Sequence, residues 1–265
     1  MIQKQLKIAV VQSDLVWENP EQNRKLFSKK IKNIPIVIGT EEVDLIVLPE
    51  MFTTGFTMHA QQVAETMVGE TVKWMKHEAS TYNTAIVGSI IISEKNKYYN
   101  RLLFVEPSGK ITIYNKRHTF TLVGEDKVYT AGTEKVIIDY KGWKICPLIC
   151  YDLRFPVWAR NTQDYDVLLY VANWPKPRVS AWDALLKARA IENMCYTIGV
   201  NRVGVDGVNS LYSGHSTVYD VLGKEMTAFI PNKEQTEIVT LEKRHVEAYR
   251  NKLKFLNDRD AFKII

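Results

Sequence analysis

The sequence predicts an α/β protein rich in strands, built on a mixed sheet or on two sheets packed together. Three observations point there. Short apolar or alternating runs recur along the 265 residues, with helix-like stretches between them. Several neighbouring runs are joined by tight turns, at Pro107-Ser108-Gly109 and Lys141-Gly142, where a purely βαβ fold would have fewer hairpins. A hydrophobic content of 46% over this length supports one large core, so residues 1–265 read as a single domain.

The elements follow in order. Leu6–Gln12 is a strand, and a helix runs from Glu21 to about Lys32. Asp44–Leu48 is short and rich in β-branched residues, a buried strand stopped by Pro49. A helix covers Glu70–Tyr82, followed by strands at Ala85–Ile92, Tyr98–Glu106 and Lys110–Asn115. Lys135–Tyr140 and Trp143–Ile149 form the next pair, and a short helix spans Phe155–Asn161. Val167–Ala172 is a strand and Trp182–Met194 a helix, with Ser180 and Asp183 spaced as a capping box. Strands are predicted at Tyr196–Val200, Ser213–Asp220, Glu225–Ile230 and Glu237–Leu241, with a last helix over Lys243–Lys252.

Composition narrows the function. Lys and Arg number 35 against 30 Asp and Glu, a net charge of +5. The chain has no dense basic block, which argues against a nucleic-acid partner. No apolar run approaches the ~20 residues needed to span a bilayer, and the N-terminus lacks a secretory h-region. Three cysteines cannot all pair within one chain, and the expected setting is the reducing cytoplasm.

Three predicted strands deliver a reactive side chain at or just past their carboxyl ends: Glu50 in "DLIVLPEMF", Lys116 in "ITIYNKRHTF" and Cys150 in "ICPLICYDLRF". Ligands of open α/β sheets gather at such ends. A base, a cation and a thiol meeting there suit acyl transfer. The start of a helix and a nearby ammonium would favour the Cys150 thiolate. Glu50 would take and return protons, and Lys116 with the Tyr151 N–H would face the oxyanion, where one donor is worth about 10²–10³ in kcat. Taken singly, each residue has a plainer reading, as core filler, solvated turn or surface lysine. Cys146 and Cys195 stay core filler, and no Cys/His set makes a metal site.

"LIVLPEMFTTGF", "NKRHTF", "ICYDLRFP", "ANWP", "KARAIENMCY" and "YSGHSTVYDVLG" together resemble the nitrilase, or carbon–nitrogen hydrolase, superfamily over nearly the whole chain. The resemblance implies a nitrilase-like α-β-β-α sandwich, with two mixed sheets face to face and helices outside, that commonly forms homodimers and needs no cofactor. It implies Glu50 as general base, Lys116 as oxyanion stabiliser and Cys150 as nucleophile. Glu125, seven residues before Gly132, would orient Lys116. Within the superfamily, "PEMFTTGF", "NKRHTF" and "NWP" resemble the omega-amidase branch, which hydrolyses the terminal amide of 2-oxo acids such as 2-oxoglutaramate.

Such a substrate carries a carboxylate. Arg154 is the candidate fork for it, the competing reading being an ion pair with Asp152 or Glu192. Phe56, Phe120 and Trp174 would wall a small dry pocket, against a competing role as ordinary core. Arg189, Glu192 and Asn193 fall within one helical turn and read as scaffold, with His118 and His215 as hydrogen-bonded structural histidines. The chain departs from the commoner family pattern at Met194, where glutamine is usual, and at "HTFTLV", which replaces an acidic stretch on the pocket's rim. Alternative activities are an N-carbamoyl amine hydrolase, a nitrilase, or an idle binding protein on the same fold.

Overall fold

The computed structural model describes residues 4–38 and 43–264. In chain order the elements are β1 (Gln5–Gln12), α1 (Pro20–Ile38), β2 (Leu45–Val47), α2 (Ala60–Val63), α3 (Glu70–Thr81), β3 (Ala85–Glu94), β4 (Lys97–Val105) and β5 (Ile111–Asn115). There follow α4 (Glu125–Val128), β6 (Ile138–Tyr140), β7 (Trp143–Ile149), α5 (Pro156–Ala159), β8 (Val167–Ala172) and α6 (Val179–Asn193). The chain continues through β9 (Tyr196–Asn201), β10 (Val203–Val205), β11 (Leu211–Ser213), β12 (Thr217–Tyr219), β13 (Gln235–Glu242) and α7 (Lys243–Leu253).

One sheet has the order β13-β1-β2-β3-β4-β5 and the other β12-β9-β8-β7-β6, with β10 and β11 as a separate ribbon. Both large sheets are mixed: β2 is parallel to β1 and β3, and β8 to β7 and β9, while the flanking strands are antiparallel. Alternation sorts the residues of β1. Leu6, Ile8 and Val10 face the second sheet and meet Trp143, Ile145 and Leu148 in one core. Ala9 and Val11 face outward and are covered by Phe27 and Ile31 of α1 and by Val72 and Met75 of α3. On the far side Trp182, Leu186 and Ala190 of α6 join the core of the second sheet. The result is the expected α-β-β-α sandwich. Among the described residues, no helix is long and apolar enough to cross a membrane.

Most predicted elements are present, and the differences have local causes. Lys95 and Asn96 both adopt positive φ, closing β3 and β4 into a tight hairpin that carries the strands further than predicted. The strand predicted over Ser213–Asp220 is split, because Gly214 and His215 both turn through positive φ. Gln12 accepts the Ser216 N–H inside that turn, at 3.0 Å. Glu225–Ile230 forms no strand, only a single bridge from Glu225 to Tyr219. Lys135 stops short of β6, and its ammonium donates to the Arg160 carbonyl instead. The capping box at Ser180 is absent, since α6 starts at Val179, which puts Ser180 inside the first turn, and Asp183 pairs with His215.

Candidate active site

The two central sheets bring the three singled-out strand ends to one crevice. β2 is only three residues long and fully buried, so the Leu48-Pro49-Glu50 segment leaves the sheet at once and carries Glu50 into the interior. Lys116 follows β5 directly, and Gly132 braces it by donating its N–H to the Lys116 carbonyl at 2.8 Å. A side chain at Gly132 would place its Cβ 2.2 Å from the Asn115 carbonyl oxygen, so only glycine permits this approach. Cys150 directly follows β7 and opens a 3-10 turn, Cys150–Arg154, with φ of +43°. A non-glycine residue in that region is strained, and the surroundings must hold it there.

Asp152 does much of the holding. Its carboxylate accepts the N–H groups of Ile149 (3.0 Å) and His118 (2.9 Å), the Tyr114 hydroxyl (2.7 Å) and the His118 ring (Nδ1, 2.8 Å). The His118 ring lies flat on Phe155 at 3.7 Å. Arg189 donates to the Leu153 carbonyl at 2.6 Å and pairs with Glu192 at 2.9 Å. His118, His215, Arg189 and Glu192 are thus the scaffold residues anticipated. Asp152 and Glu192 are spent on these partners, and Arg154 pairs with neither. Asp152's part in the elbow escaped sequence reading, because its partners come from remote segments.

The ionic centre is fully internal. Glu50 and Glu125 are 0% exposed and Lys116 is 2% exposed. The Lys116 Nζ lies 3.0 and 2.9 Å from the two oxygens of Glu125 and 3.0 Å from Glu50 Oε1. Glu50 Oε1 also accepts from Asn100 Nδ2 at 2.7 Å, and Oε2 from the Asn173 N–H at 2.8 Å. Asn173 Nδ2 donates to the Glu50 carbonyl at 2.6 Å, tying the end of β8 to the end of β2. Asn100 and Asn173 were not foreseen. Each sits on or just past a strand with no charge to mark it.

Burial alone would push the Lys116 pKa down. The Glu125 and Glu50 carboxylates more than offset it, and the ammonium is held above the ordinary lysine range. Glu125 is raised by burial, which the Lys116 charge only partly counters. At Cys150 the structure corrects an expectation. Burial and the adjacent Glu50 carboxylate raise the thiol well above its ordinary pKa, and Lys116 opposes them too weakly. The ammonium's charge is already shared by two carboxylates. These surroundings favour the neutral thiol over the thiolate in the resting site.

These groups open on a cavity of about 290 Å³. Phe56, Phe120, Tyr151, Arg154 and Trp174 all line it, together with Trp17, Met58 and Val123. The Phe56 ring lies under the Lys116 ammonium at 5.2 Å, and the Phe120 and Tyr151 rings are 4.8 Å apart. The "HTFTLV" departure is local: Thr121–Val123 forms a 3-10 turn that presents Val123 as an apolar rim. At the other departure, Met194 ends α6 in the left-handed region at φ +47°. Arg178 also lines the cavity and was not singled out.

A two-sheet sandwich with a buried glutamate and lysine and a half-buried cysteine at converging strand ends defines a class of hydrolase. The chain belongs to the carbon-nitrogen hydrolase family, whose model matches residues 7–251. It is 43% identical to an omega-amidase of Escherichia coli K12 over 98% of both chains. It is 41% identical to an omega-amidase of Yersinia enterocolitica over 98% of this chain and 99% of that one. The solved structure of a family member from Xanthomonas campestris superposes with a TM-score of 0.94 at 38% identity, covering 99% of this chain and 100% of the other.

Proposed function

We propose that this protein is an omega-amidase that releases ammonia from the terminal amide of a short 2-oxo acid through a thioester on Cys150. The carrying observation is the buried Lys116 held by Glu125 and Glu50 beside a thiol that opens on a small cavity. The full-length likeness to omega-amidases supports the substrate class.

In this reading Glu50 takes the thiol proton as sulfur attacks the amide carbon. The oxyanion that forms meets the Lys116 ammonium and the Tyr151 N–H, which has no helical acceptor at the start of its turn. Glu50 then passes its proton to nitrogen, the C–N bond breaks and ammonia leaves. A water molecule gives Glu50 a proton as its oxygen attacks the thioester. The acid departs and the proton returns to sulfur. Glu125 keeps Lys116 charged and placed throughout, and Arg154 grips the substrate carboxylate. The aromatic walls of Phe56, Phe120 and Trp174 keep the cavity dry, which strengthens each of these contacts.

The whole chain acts as one domain in this reading, in a reducing cytoplasm that keeps the thiol free. It forms homodimers through apolar residues left exposed on the helices outside the second sheet, such as Val157 and Ile191 at 55% and 46% exposure. Sedimentation at twice the chain mass tests the dimer. Cys150→Ala, assayed for ammonia release from 2-oxoglutaramate, tests the chemistry. Activity is expected to vanish, and a variant as active as the parent sinks the mechanism.

A further inference from the structure

The cavity holds two arginines, and only one is needed for a carboxylate. Arg154 lies with its guanidinium 4.8 Å from the centre of the Trp174 ring, and Arg178 lies 5.2 Å from that of Phe120. Among the described residues, neither side chain has an ion pair or a hydrogen bond to the protein. The acids lining the cavity are already engaged. Glu50 is bound to Lys116 and Asn100. Asp206 accepts the N–H groups of Val208 (3.0 Å) and Ser210 (2.8 Å) and the Tyr212 hydroxyl (2.8 Å).

A guanidinium held by an aromatic face differs from one held by a carboxylate. The ring occupies the flat side and leaves the in-plane N–H donors available. Both arginines are only half-buried. The Arg178 backbone is also fixed in place: it is the residue immediately before α6, and the Trp174 indole donates to its carbonyl at 2.7 Å. One indole thus sets both arginines, by its face for Arg154 and by its N–H for Arg178. The cavity therefore offers two ring-backed sets of donors that, among the described residues, have no protein acceptor.

We propose that Arg178 is a second substrate-recognition residue, reading the 2-oxo oxygen while Arg154 reads the neighbouring carboxylate. The inference rests on the omega-amidase reading for its choice of ligand. A 2-oxo carboxylate presents three acceptor oxygens on adjacent carbons, one more than a single fork can engage. The saturated acid lacks the third oxygen and leaves Arg178 without a partner.

The test uses binding, not turnover. Affinities of 2-oxoglutarate and of glutarate are measured by calorimetry on the unaltered protein, Arg178→Met and Arg178→Lys. Loss of a hydrogen bond from a charged donor predicts about 10- to 100-fold weaker 2-oxoglutarate binding by the methionine variant. Glutarate affinity should change less than about threefold on the same ground, since Arg178 makes no bond to it. The lysine variant, charged but without the fork, should recover only part of the difference. Equal weakening of both acids overturns the proposal, as does no weakening of either, or an unaltered protein that binds both alike. Should the methionine variant fail to fold, the lysine variant decides by the same comparison. Failure of the omega-amidase reading appears elsewhere, as absent ammonia release from 2-oxoglutaramate with the binding difference intact.

Discussion

Glu125→Gln separates the holder of Lys116 from the chemistry itself. The substitution keeps the shape and removes one negative charge from a site that is 0% exposed. At the 2.9 Å separation, the direct attraction between the charges is about 6 kcal/mol for an effective dielectric of ~20. Burial of both ions offsets part of this, and breaking such a pair costs about 3–5 kcal/mol of stability. For a chain of this size, that corresponds to a fall in Tm of about 10 °C.

The effect on rate follows from what Lys116 does next. With one carboxylate gone, the ammonium turns wholly to Glu50 and is drawn from the oxyanion position. Loss of one such donor predicts a fall in kcat of about 10²–10³. The pH dependence has a definite sign. Lys116 is held above the ordinary lysine range chiefly because Glu125 and Glu50 outweigh burial, so the parent keeps its ammonium through the neutral range. The variant should lose activity at lower pH on the alkaline side than the parent does. Steady-state ammonia release from pH 6 to 10, beside thermal melts, measures all three quantities. A folded Glu125→Gln enzyme with kcat within about threefold of the parent refutes the argument, because one oxyanion donor would then be worth far less than assumed.

Two further outcomes are expected. Arg154→Ala should raise KM for 2-oxoglutaramate by about tenfold or more while leaving a neutral amide of similar length nearly unaffected, and equal changes would remove Arg154 from recognition. Cys195 is pushed up to about 12 by burial, so it is neutral in the folded chain while the unfolded thiol ionises near 8.5. Its contribution is fully present below about pH 8.5 and is lost as pH rises towards 12, at up to about 1.4 kcal/mol per pH unit. Urea midpoints from pH 8 to 10.5 should therefore fall less steeply in Cys195→Ala than in the parent, and identical slopes would contradict this.

Much of the architecture, and the three residues proposed as reactive, are legible in the sequence itself. Strand runs such as Leu6–Gln12 and Trp143–Ile149 are legible because alternation and β-branching are local properties, and both are strands in the structure. Glu50, Lys116 and Cys150 were visible because each ends or directly follows an apolar run, and a charge or thiol there is conspicuous. Other features depended on contacts that no local pattern encodes. Asp152 bonds Tyr114 and His118 from over thirty residues away, and Asn173 reaches Glu50 across 123 positions. The direction in which the thiol's pKa moves depends on the same kind of contact. Proximity of Lys116 was foreseeable, but two carboxylates claiming its charge first was a matter of three-dimensional arrangement. Arg178 shows the same limit: a surface-looking arginine in "KPRVS" is set at the cavity only by Phe120, 58 residues earlier, and by the indole of Trp174. Sequence periodicity decides which side chains leave a sheet edge. Only packing decides which of them share a charge, because Coulomb and hydrogen-bond energies depend on distance in space and on burial, not on separation along the chain.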